Sequence, residues 1–170
     1  MISRSISSSK KGQTGVQIIF IVLALSALAF SALFTTFLMG VANSEVQADT
    51  SFGGEGADVM QDLTDRQPTW LDGLFLMALM IFWVMLIITT LFIDSHPIFF
   101  ILSIILIVVT IVVAGYIANA WDDLAKDADF SSSADMLPKI NYVMTHLLEF
   151  IMGMVVTVVI SLYGKSRLGL

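Results

Sequence analysis

Four apolar runs, Val16–Val41, Trp70–Ile93, Ile98–Ala118 and Ile140–Tyr163, occupy most of the chain. Each reaches the roughly 20 residues a helix needs to cross about 30 Å of hydrocarbon. The tails and connections left over are too short for a soluble domain. The expectation is a single all-α integral membrane domain over residues 1–170. It would be a four-helix transmembrane bundle preceded by a short tail at residues 1–15.

Composition narrows the chemistry. Hydrophobic residues make up 57% of the chain and charged residues 13%, about half the charged share of an ordinary soluble domain. The absence of cysteine excludes disulfides, thiolate metal sites and cysteine nucleophiles. Two histidines, His96 and His146, are too few for a multi-histidine metal or haem centre in one copy. No phosphate-binding glycine loop, HExxH, G-x-S-x-G or CxxC motif occurs, and the acidic segments lack the spaced pattern of a calcium loop. These absences lead us to expect no enzyme activity, no cofactor and no metal. Specific nucleic acid binding is not expected either, although Arg4, Lys10 and Lys11 of the tail could touch phosphates or lipid headgroups.

The net charge of −6 is unevenly placed. Both tails are basic, with Arg4, Lys10 and Lys11 at one end and Lys165 and Arg167 at the other. Residues Ala42–Thr69 hold Glu45, Asp49, Glu55, Asp58, Asp62 and Asp65 against Arg66 alone. Residues Ala120–Lys139 hold Asp122, Asp123, Asp127, Asp129 and Asp135 against Lys126 and Lys139. By the lysine and arginine bias, both termini should face the cytoplasm or interior side and both acidic loops the outside. Four spans satisfy this, and three or five do not. Asp94-Ser95-His96-Pro97 is then a tight inner turn, with proline in the first turn of the third span, where its missing N–H costs nothing. Trp70, Tyr116, Trp121 and Tyr142 fall at outer ends and Tyr163 at an inner end, as interfacial aromatic residues do.

Local signals add detail. Thr69 and Asp72 read as a capping pair opening the second span, with a short helix over Asp58–Asp65 leading to Pro68. The apolar part of the first span is too long for a secretory signal core, which favours a retained signal anchor. Lys10-Lys11-Gly12-Gln13-Thr14-Gly15 resembles the processing site of archaeal pilin-like precursors. However, Gln17 stands where such precursors usually carry an acid, and three more spans follow, so no family is assigned. A loose echo links Gly40-Val41-Ala42-Asn43 to Gly115-Tyr116-Ile117-Ala118-Asn119, as a duplicated span–loop–span hairpin would leave.

Helix packing in lipid relies on small residues that let backbones approach. Ala24, Ala27, Ser31 and Thr35 form one such row in the first span, with Ala32, Thr36 and Gly40 beside it. Thr110, Ala114 and Ala118 do so in the third span, and Gly153, Thr157 and Ser161 in the fourth. The second span is rich in large residues, including Met77, Met80, Phe82 and Trp83, and is expected to face lipid or a partner. The ten methionines suit adaptable packing.

Glu149 is the one charge near the middle of an apolar run. Counted along a straight helix from Lys139, it lies about 15 Å deep, where an ionised group costs roughly 2.5–3.5 kcal/mol and normally faces the protein interior. It stands in line with Gly153, Thr157 and Ser161. His146 is one turn outward, and Thr145 adds a hydroxyl. Two functions are compatible with such a site. In the first, a protonated Glu149 locks a helix interface in a structural or accessory subunit of a larger membrane assembly. That assembly could be the lipid-containing shell of a virus or an energy-transducing or secretion complex. In the second, Glu149 and His146 relay protons or cations in an oligomeric channel. A lysis-type pore former is a third possibility. Expected partners are the lipid bilayer and other membrane subunits, or further copies of the chain.

Overall fold

A computed structural model describes residues 14–49, 53–92 and 97–168, with side chains described for 16–49, 53–91 and 103–161. The basic tail through Lys11, the Asp94–His96 turn and the side chains of Tyr163, Lys165 and Arg167 lie outside the described residues. The elements are α1 (Thr14–Ala48), α2 (Gly53–Phe92), α3 (Pro97–Ala125), α4 (Ser131–Asp135), α5 (Pro138–Thr145) and α6 (Leu147–Leu168). No strand occurs among the described residues.

Three stretches are long and apolar enough to cross a membrane: Val16–Ala48, Gly53–Leu91 and Ser103–Ala125. A fourth exists only if α5 and α6 count together across a 70° bend. The protein is a multi-pass integral membrane protein. Helix α1 packs along α2 and α3, and α6 packs against the same two, so the four long helices close into a ring.

Buried side chains explain this packing. In α1 they include Ile18, Val22, Leu25, Ala29, Ala32 and Thr36, which alternate steps of four and three residues and so form one seam, with Ile21, Ser26 and Leu33 buried beside it. Pro68, Asp72, Phe75, Leu79, Leu86 and Thr90 continue the same phase in α2. Ala27, Ser31 and Thr35, expected as a packing row, are exposed. Ala32 and Thr36, on the neighbouring row, do the packing. In α3, Ala114 is fully buried.

The second span is not left to the lipid. The α1–α2 seam is the most extensive helix contact in the protein, because Phe75, Leu79 and Leu86 of α2 join the core that Ala29 and Ala32 of α1 also line. The opposite face of α2, with Met77, Met80, Ile81 and Val84, stays exposed. Trp83 is half-buried, and its ring carbon Cη2 lies 3.4 Å from where a Cβ on Gly153 would sit. The glycine therefore lets the indole approach the α6 backbone.

The two acidic connections also differ from expectation. Residues 42–48 and 53–69 are not loops, because α1 and α2 run straight through them. Helix α1 has 35 residues and α2 has 40, or about 52 and 60 Å at 1.5 Å per residue. Both exceed the roughly 30 Å of hydrocarbon, so their acidic ends form a projecting helical arm. The arm is tied by polar pairs: Asn43 Nδ2 donates to Gln61 Oε1 at 2.8 Å, and Gln47 Nε2 to the Ala57 carbonyl at 2.9 Å. Thr89 Oγ1 donates to Gln17 Oε1 at 3.1 Å near the other end. One antiparallel register therefore runs the length of the hairpin. Pro68 and Thr69 lie inside α2, so Thr69 and Asp72 do not open it.

The second connection folds back on the ring. Helix α3 continues to Ala125, and α4 packs against α1, α3 and α5. Phe130, just before α4, meets Phe34 edge-on and Phe37 at a tilt, both of α1, with ring centroids 5.3 and 4.7 Å away.

Candidate functional site

The sequence directs attention to Thr145, His146 and Glu149, and all three sit at the bend between α5 and α6. Helix α5 begins after Leu137, whose side chain offers no cap, with Pro138 in its first turn. The next amides are satisfied from another helix. The N–H of Ile140 donates to Asp72 Oδ1 at 2.8 Å and the N–H of Lys139 to Oδ2 at 3.1 Å. Asp72 is 2% exposed, so α2 places a carboxylate where the unpaired donors and the helix dipole both favour an anion. This is the reason for an aspartate there: it caps α5, and not its own helix.

The next turn of α5 is held by α3. Trp121, fully buried, donates from Nε1 to Asn141 Oδ1 at 2.9 Å. Its ring meets Phe30 edge-on, with centroids 5.5 Å apart at 64°. Thr145 donates its hydroxyl to the Asn141 carbonyl. His146 Nδ1 lies 2.9 Å from the Tyr142 carbonyl. Since a carbonyl only accepts, Nδ1 carries the proton and Nε2 is left as the acceptor in the neutral ring. The imidazole stacks on Tyr142 with centroids 4.5 Å apart at 28°.

Glu149 differs most from expectation. Helix α6 starts at Leu147, and Glu149 lies in its first turn, not ten residues down a continuous helix. Its backbone N–H donates to the His146 carbonyl at 3.0 Å, and its side chain is exposed. Among the described residues no group hydrogen-bonds its carboxylate, and it forms no ion pair with His146. A row of residues four apart drifts about 40° per step around a helix. Gly153, Thr157 and Ser161 are accordingly half-buried while Glu149, at the head of the row, faces outward. The bend places Thr145, His146 and Glu149 close in the chain without joining them into one site.

Inside the ring the polar groups are self-contained. Ser26, Thr90 and Thr110 are buried, and each hydroxyl donates at 2.7 Å to a carbonyl of its own helix. Thr157 and Ser161 do the same at 2.8 Å. Thr36 Oγ1 is buried without a partner among the described residues. Two crevices lie along the α1–α2 seam. One of about 360 Å³ is lined by Gln17, Phe20, Phe82 and Thr89 among others, and one of about 200 Å³ by Ser31, Thr35, Leu71 and Phe75 among others. Among the described residues no three His, Asp or Glu side chains converge on a point that would hold a metal.

Sequence reasoning missed Asn141 and the roles of Asp72 and Trp121. A signal for Asp72 was available, since an aspartate in phase with the buried stripe of a span needs a buried donor nearby. Comparison with known proteins returned no matching family model, no matching characterised protein and no matching solved structure.

Proposed function

We propose that this chain is a structural or accessory integral-membrane subunit of a larger membrane assembly, with no catalytic role. In this reading it spans the membrane four times, α5 and α6 forming the last crossing, with both termini on the cytoplasmic or interior side. The observation that carries the reading is the arm. Two helices in one register lift Glu45, Glu55, Asp58, Asp62 and Asp65, all exposed, beyond the apolar stretch. A rigid, charged projection on a compact apolar base suits contact with other subunits.

The interior weighs against the proton-relay alternative. A relay needs polar groups that pass a proton from one helix to the next, whereas the buried hydroxyls here are mostly bonded within their own helices. Glu149 heads α6 and does not stand at its middle.

The test is the mass of the particle in which the protein travels after extraction from its native membrane in mild detergent, with its co-purifying chains identified. A stoichiometric complex with other proteins is expected. A pure homo-oligomer would overturn the reading, and proton flux in liposomes would then decide for the channel. The cysteine-free sequence makes topology directly measurable. Single cysteines at Asp58 and Asp127 should react with an impermeant maleimide from outside, and one at Ser8 should not.

A further inference from the structure

The arm has a face that no described residue of the chain covers. Residues 53–66 of α2 carry Glu55, Asp58, Asp62, Asp65 and Arg66, too many charges for hydrocarbon, so this part of the helix stands in water. Yet Val59 is 58% exposed and Leu63 is 51% exposed, and Trp70, where the helix meets the membrane, is 72% exposed. Steps of four and seven residues put the three on one face, over roughly 16 Å of helix. The opposite face, with Ala57, Gln61, Thr64 and Pro68, is the one turned to α1. An apolar stripe in water, continuous with a charged border, is characteristic of a protein contact surface.

The border is one-sided. By helical phase, Glu55, Asp58, Asp62 and Asp65 all lie on one flank of the stripe, while the other flank carries Gly56, Met60 and Gln67, none of them charged. Arg66 lies in the stripe and is taken up by Asp62, its Nε donating to Oδ1 at 2.7 Å. We infer that this face docks an amphipathic helix of a partner protein. The partner sets apolar residues against Val59, Leu63 and Trp70, and lysines or arginines along the acidic flank. Apolar anchors supply the affinity, and the single charged edge sets orientation and excludes the reversed alignment. A second copy of the chain is a poor occupant, since its own arm offers acids and no free basic flank. Anionic headgroups are repelled for the same reason. The inference rests on the accessory-subunit reading and names the class of partner that the arm would hold.

The test uses the full-length protein in nanodiscs. The probes are synthetic amphipathic helical peptides with a leucine stripe and one lysine flank, the same stripe with a glutamate flank, and a scrambled lysine peptide of equal composition. The lysine-flanked peptide should bind saturably, one per protein. Affinity should fall roughly tenfold or more in Val59→Asp/Leu63→Asp, two exposed positions where the change leaves the fold alone. A variant with Glu55→Lys, Asp58→Lys, Asp62→Lys and Asp65→Lys should switch preference to the glutamate-flanked peptide. Equal binding of the scrambled peptide would reduce the surface to bulk charge and overturn the inference. So would indifference to Val59→Asp/Leu63→Asp, or a wild-type dimer that this variant dissolves. Native particles separate the two levels of the claim. Loss of partner chains in Val59→Asp/Leu63→Asp supports the docking face. Retention overturns it while leaving the accessory role intact, and wild-type particles without any partner overturn both.

Discussion

In the α1–α2 hairpin, both helices run uninterrupted past their apolar stretches and keep one antiparallel register from Gln17–Thr89 to Gln47–Ala57. In the α5–α6 segment, the chain turns through 70° at His146, inside what reads as one apolar run. The difference lies in what each segment finds at its end away from the termini. Helices α1 and α2 find each other, so the cheapest course for both is to continue. Helix α5 finds Asp72 of α2 at its N-terminus and Trp121 of α3 at Asn141, and these bonds hold it at an angle to α6. The arm is built from local helix geometry, whereas the bend is imposed by other helices.

Removing what imposes the bend should therefore have the largest effects. Trp121→Ala removes a fully buried indole that meets Phe30 and bonds Asn141. A loss of about 3–5 kcal/mol is expected in denaturant titrations of the micelle-embedded protein. Trp121→Phe keeps most of the packing and should lose only about 1 kcal/mol, the share of one hydrogen bond. Next comes Asp72→Ala, which leaves the Lys139 and Ile140 amides without their partner, at roughly 1–3 kcal/mol, chiefly for the buried Ile140 amide. Hydrogen exchange should accelerate at those two amides and stay unchanged between Asn43 and Gln61. Acceleration in the arm as well would mean that the two regions are not independent, which would break the comparison.

The arm itself should respond mildly. Gln61→Leu removes the acceptor for Asn43, which is half-buried, and the donor to Asp65, which is exposed like Gln61 itself, and should cost no more than about 1 kcal/mol. Its effect belongs in the spacing of the helix tips, read as a broader distance distribution between spin labels at Ser44 and Asp58. A global stability loss as large as that of Asp72→Ala would show that the arm is part of the folding core.

The same contrast decides how much could be read in advance. Apolar length identified the membrane class; of the small residues singled out, Ala114 is buried and Gly153 is where Trp83 approaches. The arm was mistaken for a loop because hydropathy falls at Ala42 and acids follow. Yet between Val41 and Ala48 no proline or glycine stops a helix, so charge marked the membrane boundary and not the helix end. The bend left no trace at all. Ile140, Met144, Leu147, Ile151, Met154 and Val158 are buried in an unbroken alternation of four and three, as one straight helix would have them. No breaker stands near His146 either, because the turn answers to Asp72 and Trp121, which lie 74 and 25 positions earlier in the chain.

Glu149 carries the consequence of that hidden bend. On a straight fourth span its charge would sit deep in hydrocarbon and demand a partner. In the first turn of α6 it faces the positive end of the helix dipole instead, an arrangement that stabilises by about 0.3–1 kcal/mol at exposed positions. Glu149→Gln should therefore weaken the fold by less than about 1 kcal/mol and leave proton flux in liposomes at its starting level. Glu149→Leu should be equally mild, because an exposed side chain at a helix start has no buried donor to abandon. If the leucine variant alone failed to assemble, the carboxylate would be bonding a neighbouring subunit and the interface would pass over the bend. If the glutamine variant abolished a measurable flux, the bend would be a gate, and the arm rather than the bend would be the passive region.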